Sequence, residues 1–268
     1  MEKMAVSDYD DILVTFSGDV ATIAINRPGR LNALTPAALA EIAEALDEVV
    51  ARGARALIMT GAGGRAFSSG ADLMGEKGEV GVPDDLGALV DDHFNPVVRK
   101  LAALPIPVVS AVSGLAAGAG CSLALHADFV VAGKSAYFLL AFVNIGLVPD
   151  AGATWLFAKA MGRARALEMA MLGERLYAER AQAEGLIYRV VADEAVMEEA
   201  HALAERLARG PTLALGMIRR SVSVALAGSL EDVLEIETVD QRLAGFSADG
   251  KEGIAAFVEK RPARFTGA

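Results

Sequence analysis

Two short stretches of small residues hold the groups in this sequence best suited to chemistry: Ser69-Gly70-Ala71-Asp72 and Gly118-Ala119-Gly120. Each comes after a short apolar run that reads as a buried strand, residues 56–60 for the first and 108–112 for the second. With side chains this small, the segments offer backbone N–H groups at a turn into helix or loop. Where a helix starts, those groups lack an intrahelical partner and stand at the positive end of the helix dipole. Such donors suit an anion, or an oxygen that gains negative charge during a reaction. Small residues also simply let a helix pack closely on a sheet, so one stretch alone decides nothing. Two stretches in matching context point to a pair of converging donors.

Other constellations fail on spacing. Gly61-Ala62-Gly63-Gly64-Arg65-Ala66 fits G-x-G-x-x-A, but Phe67-Ser68-Ser69-Gly70 interrupts the helix that a dinucleotide site requires. No acid ends a second strand after it. Gly133-Lys134-Ser135 lacks the earlier glycine of a phosphate loop, since Asp128 stands there. No G-x-S-x-G elbow occurs, and His93, His126 and His201 are scattered, so neither a serine hydrolase nor a metal site is expected.

Composition narrows the partners. The 268 residues carry 35 acids against 25 bases, a net charge of −10, with no basic cluster. Nucleic acid and anionic membranes are therefore not expected as partners. No run of about 18 uncharged apolar residues is present, so no membrane span is expected. The acidic start does not read as a signal peptide. With Cys121 as the single cysteine, the expected compartment is the reducing cytoplasm.

The elements that must position these loops follow from periodicity and breakers. A hairpin is expected around Gly18-Asp19. Thr35-Pro36 should open a helix that buries Leu39, Ile42, Ala43, Leu46, Val49 and Val50. The strand at 56–60 runs into a glycine-rich loop, and Gly75 to Pro83 reads as a mobile flap. Asp84 or Asp85 should start a helix towards Leu104, with Pro105 and Pro107 ending it. After the strand at 108–112, a helix is expected to reach about His126. Short strands are expected at 128–132, 136–138 and 187–191. Asp150 should cap a helix over 151–161, followed by helices at 163–172 and 178–184. From 194 only helices are expected, over 194–209, 212–226, 230–246 and 251–259. The class is α/β: recurring strand–strand–helix units imply a spiral core over residues 1–192, followed by an all-helical part over 193–268.

Four motifs in order carry a family likeness: N-R-P-G-R-L-N-A-L from Asn26, F-S-S-G-A-D-L from Phe67, S-G-L-A-A-G-A-G-C from Ser113 and F-V-E-K-R-P-A-R-F from Phe257. Together they resemble the crotonase family of enoyl-CoA hydratases and isomerases. The resemblance implies a crotonase-like ββα spiral with a C-terminal helical domain, assembled as a homotrimer or a dimer of trimers. It implies an acyl-CoA substrate whose thioester oxygen is held by the N–H groups of Ala71 and Ala119. Coenzyme A is then part of the substrate, and no metal or redox cofactor is implied.

Departures from the family pattern separate its reactions. Its hydratases use two glutamates, which should stand at Ser122 and near Phe142; neither position is acidic here. The carboxylate that aligns with the site is Asp150, in I-G-L-V-P-D-A-G. This pattern resembles the double-bond isomerases, in particular the ring-1,2-epoxyphenylacetyl-CoA isomerase branch. One base can shuttle a proton between two carbons, whereas adding water across a double bond usually recruits two groups. A 2-enoyl-CoA hydratase with another way of placing its water, and a silent acyl-CoA-binding homologue, stand as alternatives. For the CoA end the resemblance points to Lys260, and Arg30 is either a phosphate contact or a solvated arginine. Ser69, Gly70, Asp72 and Leu73 are expected to border the adenine and pantetheine. Gly118 and Phe142 are expected at the acyl end, with Trp155.

Overall fold

In the computed structural model, which describes residues 6–7, 9–74, 81 and 83–268, the chain lays its strands alternately into two sheets. The first three strands, β1 (Val6–Ser7), β2 (Ile12–Ser17) and β3 (Val20–Ile25), pair antiparallel, with the Gly18-Asp19 turn between β2 and β3. Helix α1 (Pro36–Ala51) starts as its sequence requires, Thr35 Oγ1 accepting from Ala38 N at 3.0 Å ahead of Pro36. It buries Leu39, Ile42, Leu46 and Val49, while Val50 stays exposed at the edge of the stripe.

Three passes then repeat one plan. Strand β4 (Ala56–Gly61) joins the large sheet and β5 (Ala66–Ser68) the small one; α2 (Leu86–Leu89), a π-helical turn at Val90–Phe94 and α3 (Asn95–Ala103) follow. Next come β6 (Val108–Val112), β7 (Leu115–Ala117) and α4 (Ala119–Leu125). The third pass sets β8 (Phe129–Gly133) in the large sheet and β9 (Tyr137–Leu139) in the small one. It continues into α5 (Ala153–Leu172), which breaks at Gly162, where φ is +76°. Strand β10 (Leu176–Tyr177), helix α6 (Ala178–Ala183) and strand β11 (Arg189–Val191) complete the core. The large sheet runs β1-β2-β3-β4-β6-β8-β11, parallel from β3 onward, and the small sheet β10-β9-β7-β5.

The expected spiral is thus present, but two of its strands were hidden. β5 and β7 fall in stretches that read as glycine-rich loop, because each is only three residues of mostly small side chains. Their strand identity comes from parallel pairing with each other and of β7 with β9, which is not local in sequence. At the corner between β6 and β7 a Cβ on Gly114 would stand 2.0 Å from Arg65 O, so only glycine lets the passes nest.

Both faces of β4 and β6 are covered, which is why they are mostly apolar and buried almost throughout. One face meets α1, α3 and the inner residues of α4. The other meets α7 (Val196–Ala208), which presents Val196, Ala200, Ala204 and Ala208 at four-residue spacing to Ile58, Val109 and Val131. Helices α8 (Thr212–Ala227), α9 (Leu230–Phe246) and α10 (Ala248–Glu259) stand off this core and bury few side chains. Arg55 ties them back, donating to Thr212 Oγ1 at 2.9 Å and Gly210 O at 2.7 Å. Among the described residues no helix is long and apolar enough to cross a membrane. The flap expected at Gly75–Pro83 lies mostly outside the described residues.

Candidate active site

The two small-residue loops meet at the top of the small sheet. After β5, the chain is pinned to the Asn26–Leu34 segment: Leu34 N donates to Gly70 O at 2.8 Å and Asp72 N to Leu34 O at 2.9 Å. Ala71 lies between those two bonds as a parallel bridge partner of Leu34. Its own N–H and C=O therefore face away from Leu34, as successive strand residues do. Ser68 Oγ accepts from Gly70 N at 3.1 Å and fixes the turn from below. After β7, Gly118 takes φ +52° and donates to Leu139 O at 2.9 Å, and Ala119 opens α4. As the first residue of that helix, Ala119 has no intrahelical acceptor for its N–H. Among the described residues neither Ala71 N nor Ala119 N has a hydrogen-bond acceptor.

The loops touch backbone to backbone. A Cβ on Gly70, where φ is +93°, would stand 2.8 Å from Ala117 O and 3.3 Å from Ala119 N. Only glycine permits that approach and that conformation together. The two free N–H groups thus come to one place, beside a cavity of about 490 Å³ that Ala71, Gly118 and Ala119 line. Two donors without partners at the edge of an apolar cavity are the arrangement that stabilises an oxygen acquiring charge.

Asp150 lines this cavity too. Its neighbours Leu147, Val148 and Pro149 and the ring of Phe142 line the same cavity. Burial among them pushes the carboxyl up from 3.8 to about 6, with a hydrogen bond from its own backbone N–H opposing. Its Oδ1 is buried without a hydrogen-bond partner among the described residues. Asp150 is the only ionisable side chain among the described residues lining the cavity.

The expectation that Asp150 caps the following helix is not met. Helix α5 begins at Ala153 with Gly152 as its N-cap and no side-chain cap bond. Ala151 and Gly152 are both left-handed, at φ +48° and +79°, and these two residues separate Asp150 from the helix. The carboxylate is thereby left free for other work.

Of the other expected site residues, Ser69, Leu73 and Phe142 line the cavity, and Gly70 sits behind it in the contact just described. Arg30 and Asp72 do not line it; they pair with each other at 3.2 Å. Asp72 also takes Arg27 Nη1 at 2.9 Å, and Arg30 donates to Met74 O at 3.0 Å. Burial alone would raise the Asp72 pKa, but hydrogen bonds from Arg27 and Met74 N and the charges of Arg27 and Arg30 outweigh it and hold it low. Asp72 therefore acts first as the strut of this loop. Lys260 ends α10 at φ +57° and is exposed, away from the cavity wall. Trp155 is 42% exposed and does not line the cavity.

Several contributors were not singled out from sequence. Leu86, Leu89, Val90 and Phe94 form the far wall, and their spacing of three and four reads equally as core stripe. Asn32, 1% exposed, donates to Ala62 O and Ala66 O and accepts from Arg27 N, fastening the Asn26–Leu34 segment under β5. The left-handed φ of Leu31 and Asn32 has no signal in residue type beyond the asparagine itself.

Comparison with known proteins shows the family and the fold. The sequence model of the enoyl-CoA hydratase/isomerase family matches residues 15–268. A 1,2-epoxyphenylacetyl-CoA isomerase of Escherichia coli (strain K12) is 46% identical over 250 residues, covering 92% of this chain and 95% of that protein. A 2,3-dehydroadipyl-CoA hydratase of the same organism is 34% identical over 263 residues, covering 96% of this chain and 99% of that one. The crystal structure of an enoyl-CoA hydratase subunit from Geobacillus kaustophilus HTA426 superposes with a TM-score of 0.90 at 38% identity, covering 98% and 100% of the two chains.

Proposed function

Because this chain belongs to the enoyl-CoA hydratase/isomerase family, we propose that it moves the double bond of an unsaturated acyl-CoA, with Asp150 as its single base. The observation that carries the reading is that one carboxylate, and no second among the described residues, lines the cavity that Ala71 and Ala119 also line. In a 2-enoyl thioester, Asp150 takes a proton from C4. The electrons move through C3 and C2 to the thioester oxygen, which the N–H groups of Ala71 and Ala119 hold as a dienolate. The same carboxyl then returns the proton to C2, leaving the double bond at C3, and the reverse uses the same groups. Each donor is worth on the order of 10²–10³ in rate.

The tuning of Asp150 suits this role. At about 6 its carboxyl is ionised at neutral pH, yet it is more basic than an ordinary carboxylate. Hydration needs a second group to place or split water, and the two positions where the family resemblance places the hydratase glutamates cannot serve. Ser122 is fully buried with its hydroxyl on Asp150 O, and Phe142 is a hydrocarbon wall. The exposed Ile218, Val222, Leu234 and Leu243 of α8 and α9 support assembly as a homotrimer or a dimer of trimers. The test is Asp150→Ser, which removes the carboxylate and keeps a small polar side chain. The folded variant should lose isomerisation by at least about 10²-fold; full turnover would end this assignment.

A further inference from the structure

The turn that carries Asp150 is held from behind by a side chain of α4 and by the one at its C-cap, neither of which the proposed reaction uses. Ser122 and His126 lie four residues apart and share one face of that helix. Ser122 Oγ donates to Asp150 O at 3.2 Å, and His126 Nε2 lies 3.0 Å from Ala151 O. A carbonyl only accepts, so Nε2 carries the shared proton. Burial lowers the imidazole pKa, against the bond to Ala151, which makes it a neutral donor at pH 7.

The two carbonyls are consecutive, and the residues at the second and just beyond it are left-handed, Ala151 at φ +48° and Gly152 at +79°. An alanine keeps that conformation only where its surroundings enforce it. The enforcement is visible: Ser122 is fully buried, and a Cβ on Gly152 would stand 2.9 Å from His126 Nε2. The relaxed alternative is the one local sequence favours. With Ala151 right-handed, α5 would extend backward and Asp150 would become its N-cap, its carboxylate engaged by backbone N–H groups.

We propose that Ser122 and His126 are positioning residues that keep Asp150 from capping α5 and hold its carboxylate in the cavity. The catalytic consequence rests on Asp150 being the base; the structural consequence does not. Two readouts keep these apart. The first needs no substrate: the Asp150 carboxyl is titrated by carbon-13 NMR in wild type, His126→Ala, His126→Gln and Ser122→Ala. In wild type the midpoint should lie at about 6. In His126→Ala it should fall to the ordinary carboxylate range or below, because a capping carboxylate accepts hydrogen bonds in its charged form. His126→Gln, which carries an N–H donor of similar reach, should restore most of the wild-type midpoint. Ser122→Ala should shift it in the same direction as His126→Ala, and that variant decides the question if His126→Ala does not fold.

The second readout is turnover. His126→Ala should lower kcat by on the order of 10²-fold, as expected for a misplaced reacting group, with KM changed less than about threefold and recovery in the glutamine variant. An unshifted Asp150 midpoint in folded His126→Ala overturns the proposal. So does a loss of kcat that glutamine fails to recover while the midpoint stays in place. If Asp150→Ser keeps full turnover, the assignment of the base falls, and the carboxyl titration still decides the clamp.

Discussion

Replacing Asp150 with asparagine should abolish turnover and stabilise the protein at neutral pH. Desolvation pushes the carboxyl from 3.8 to about 6, and Oδ1 is buried without a partner among the described residues. The folded chain therefore holds this proton more tightly than the unfolded chain does. Below the unfolded value both states are protonated and the residue carries no ionisation cost. As pH rises past 3.8 the unfolded chain ionises first, the folded chain follows only near 6, and stability falls across that window. One pKa unit is about 1.4 kcal/mol, so a rise of about two units costs the folded state about 3 kcal/mol above pH ~7. Asparagine has nearly the same shape and no charge to bury, so the variant escapes that cost. For a chain of this length the gain is about 6 °C in thermal midpoint. Calorimetry on both proteins between pH ~4 and ~8 should show two curves that coincide at the acid end and separate towards neutrality. A variant no more stable than wild type at neutral pH, or a gap that does not change with pH, would refute the desolvation account of this residue.

Three further outcomes follow from the same geometry. For wild type, kcat/KM should rise with pH and level off above the Asp150 midpoint of about 6, since only the ionised carboxylate accepts the proton; a flat profile from pH ~5 to ~8 would contradict this. Gly70→Ala, whose Cβ would meet Ala117 O at 2.8 Å from a left-handed backbone, should part the two donor loops and lower kcat by about 10²-fold or more, measured in a folded variant. Arg27→Ala leaves the buried Asp72 carboxylate with only Arg30 and Met74 N, which should cost about 1–3 kcal/mol in denaturant unfolding.

The fold was legible wherever a residue pattern is local. Thr35-Pro36, the α1 stripe and the Gly18-Asp19 turn all follow from short-range rules, and the structure keeps each of them. What could not be read depends on distant partners. Leu115-Ala116-Ala117 carries no strand signal of its own and becomes β7 only by lying between β5 and β9. At the site, the two stretches around Gly70 and Ala119 stand out because small residues leave only backbone to act, and the family resemblance then points to Ala71 and Ala119 within them. Asp150 was recognised as a carboxylate near the site but also as a helix cap, since Pro-Asp before small residues is a sound capping signal. Nothing in the local sequence marks Ala151 as left-handed. That conformation is enforced by Ser122 and His126 on another helix, which the chain brings near only after two sheets are in place.

The measurement closest to the central claim is the product formed from a panel of 2-enoyl-, 3-enoyl- and aromatic-ring CoA esters in heavy water, read by chromatography and mass. One base working through a dienolate predicts a product that has moved its double bond and gained no water, with any solvent deuterium entering only at C2 or C4. A product heavier by one water would contradict the account and place this chain among the hydratases. Tight binding without any product would mean that the N–H pair is kept and Asp150 is not used as a base.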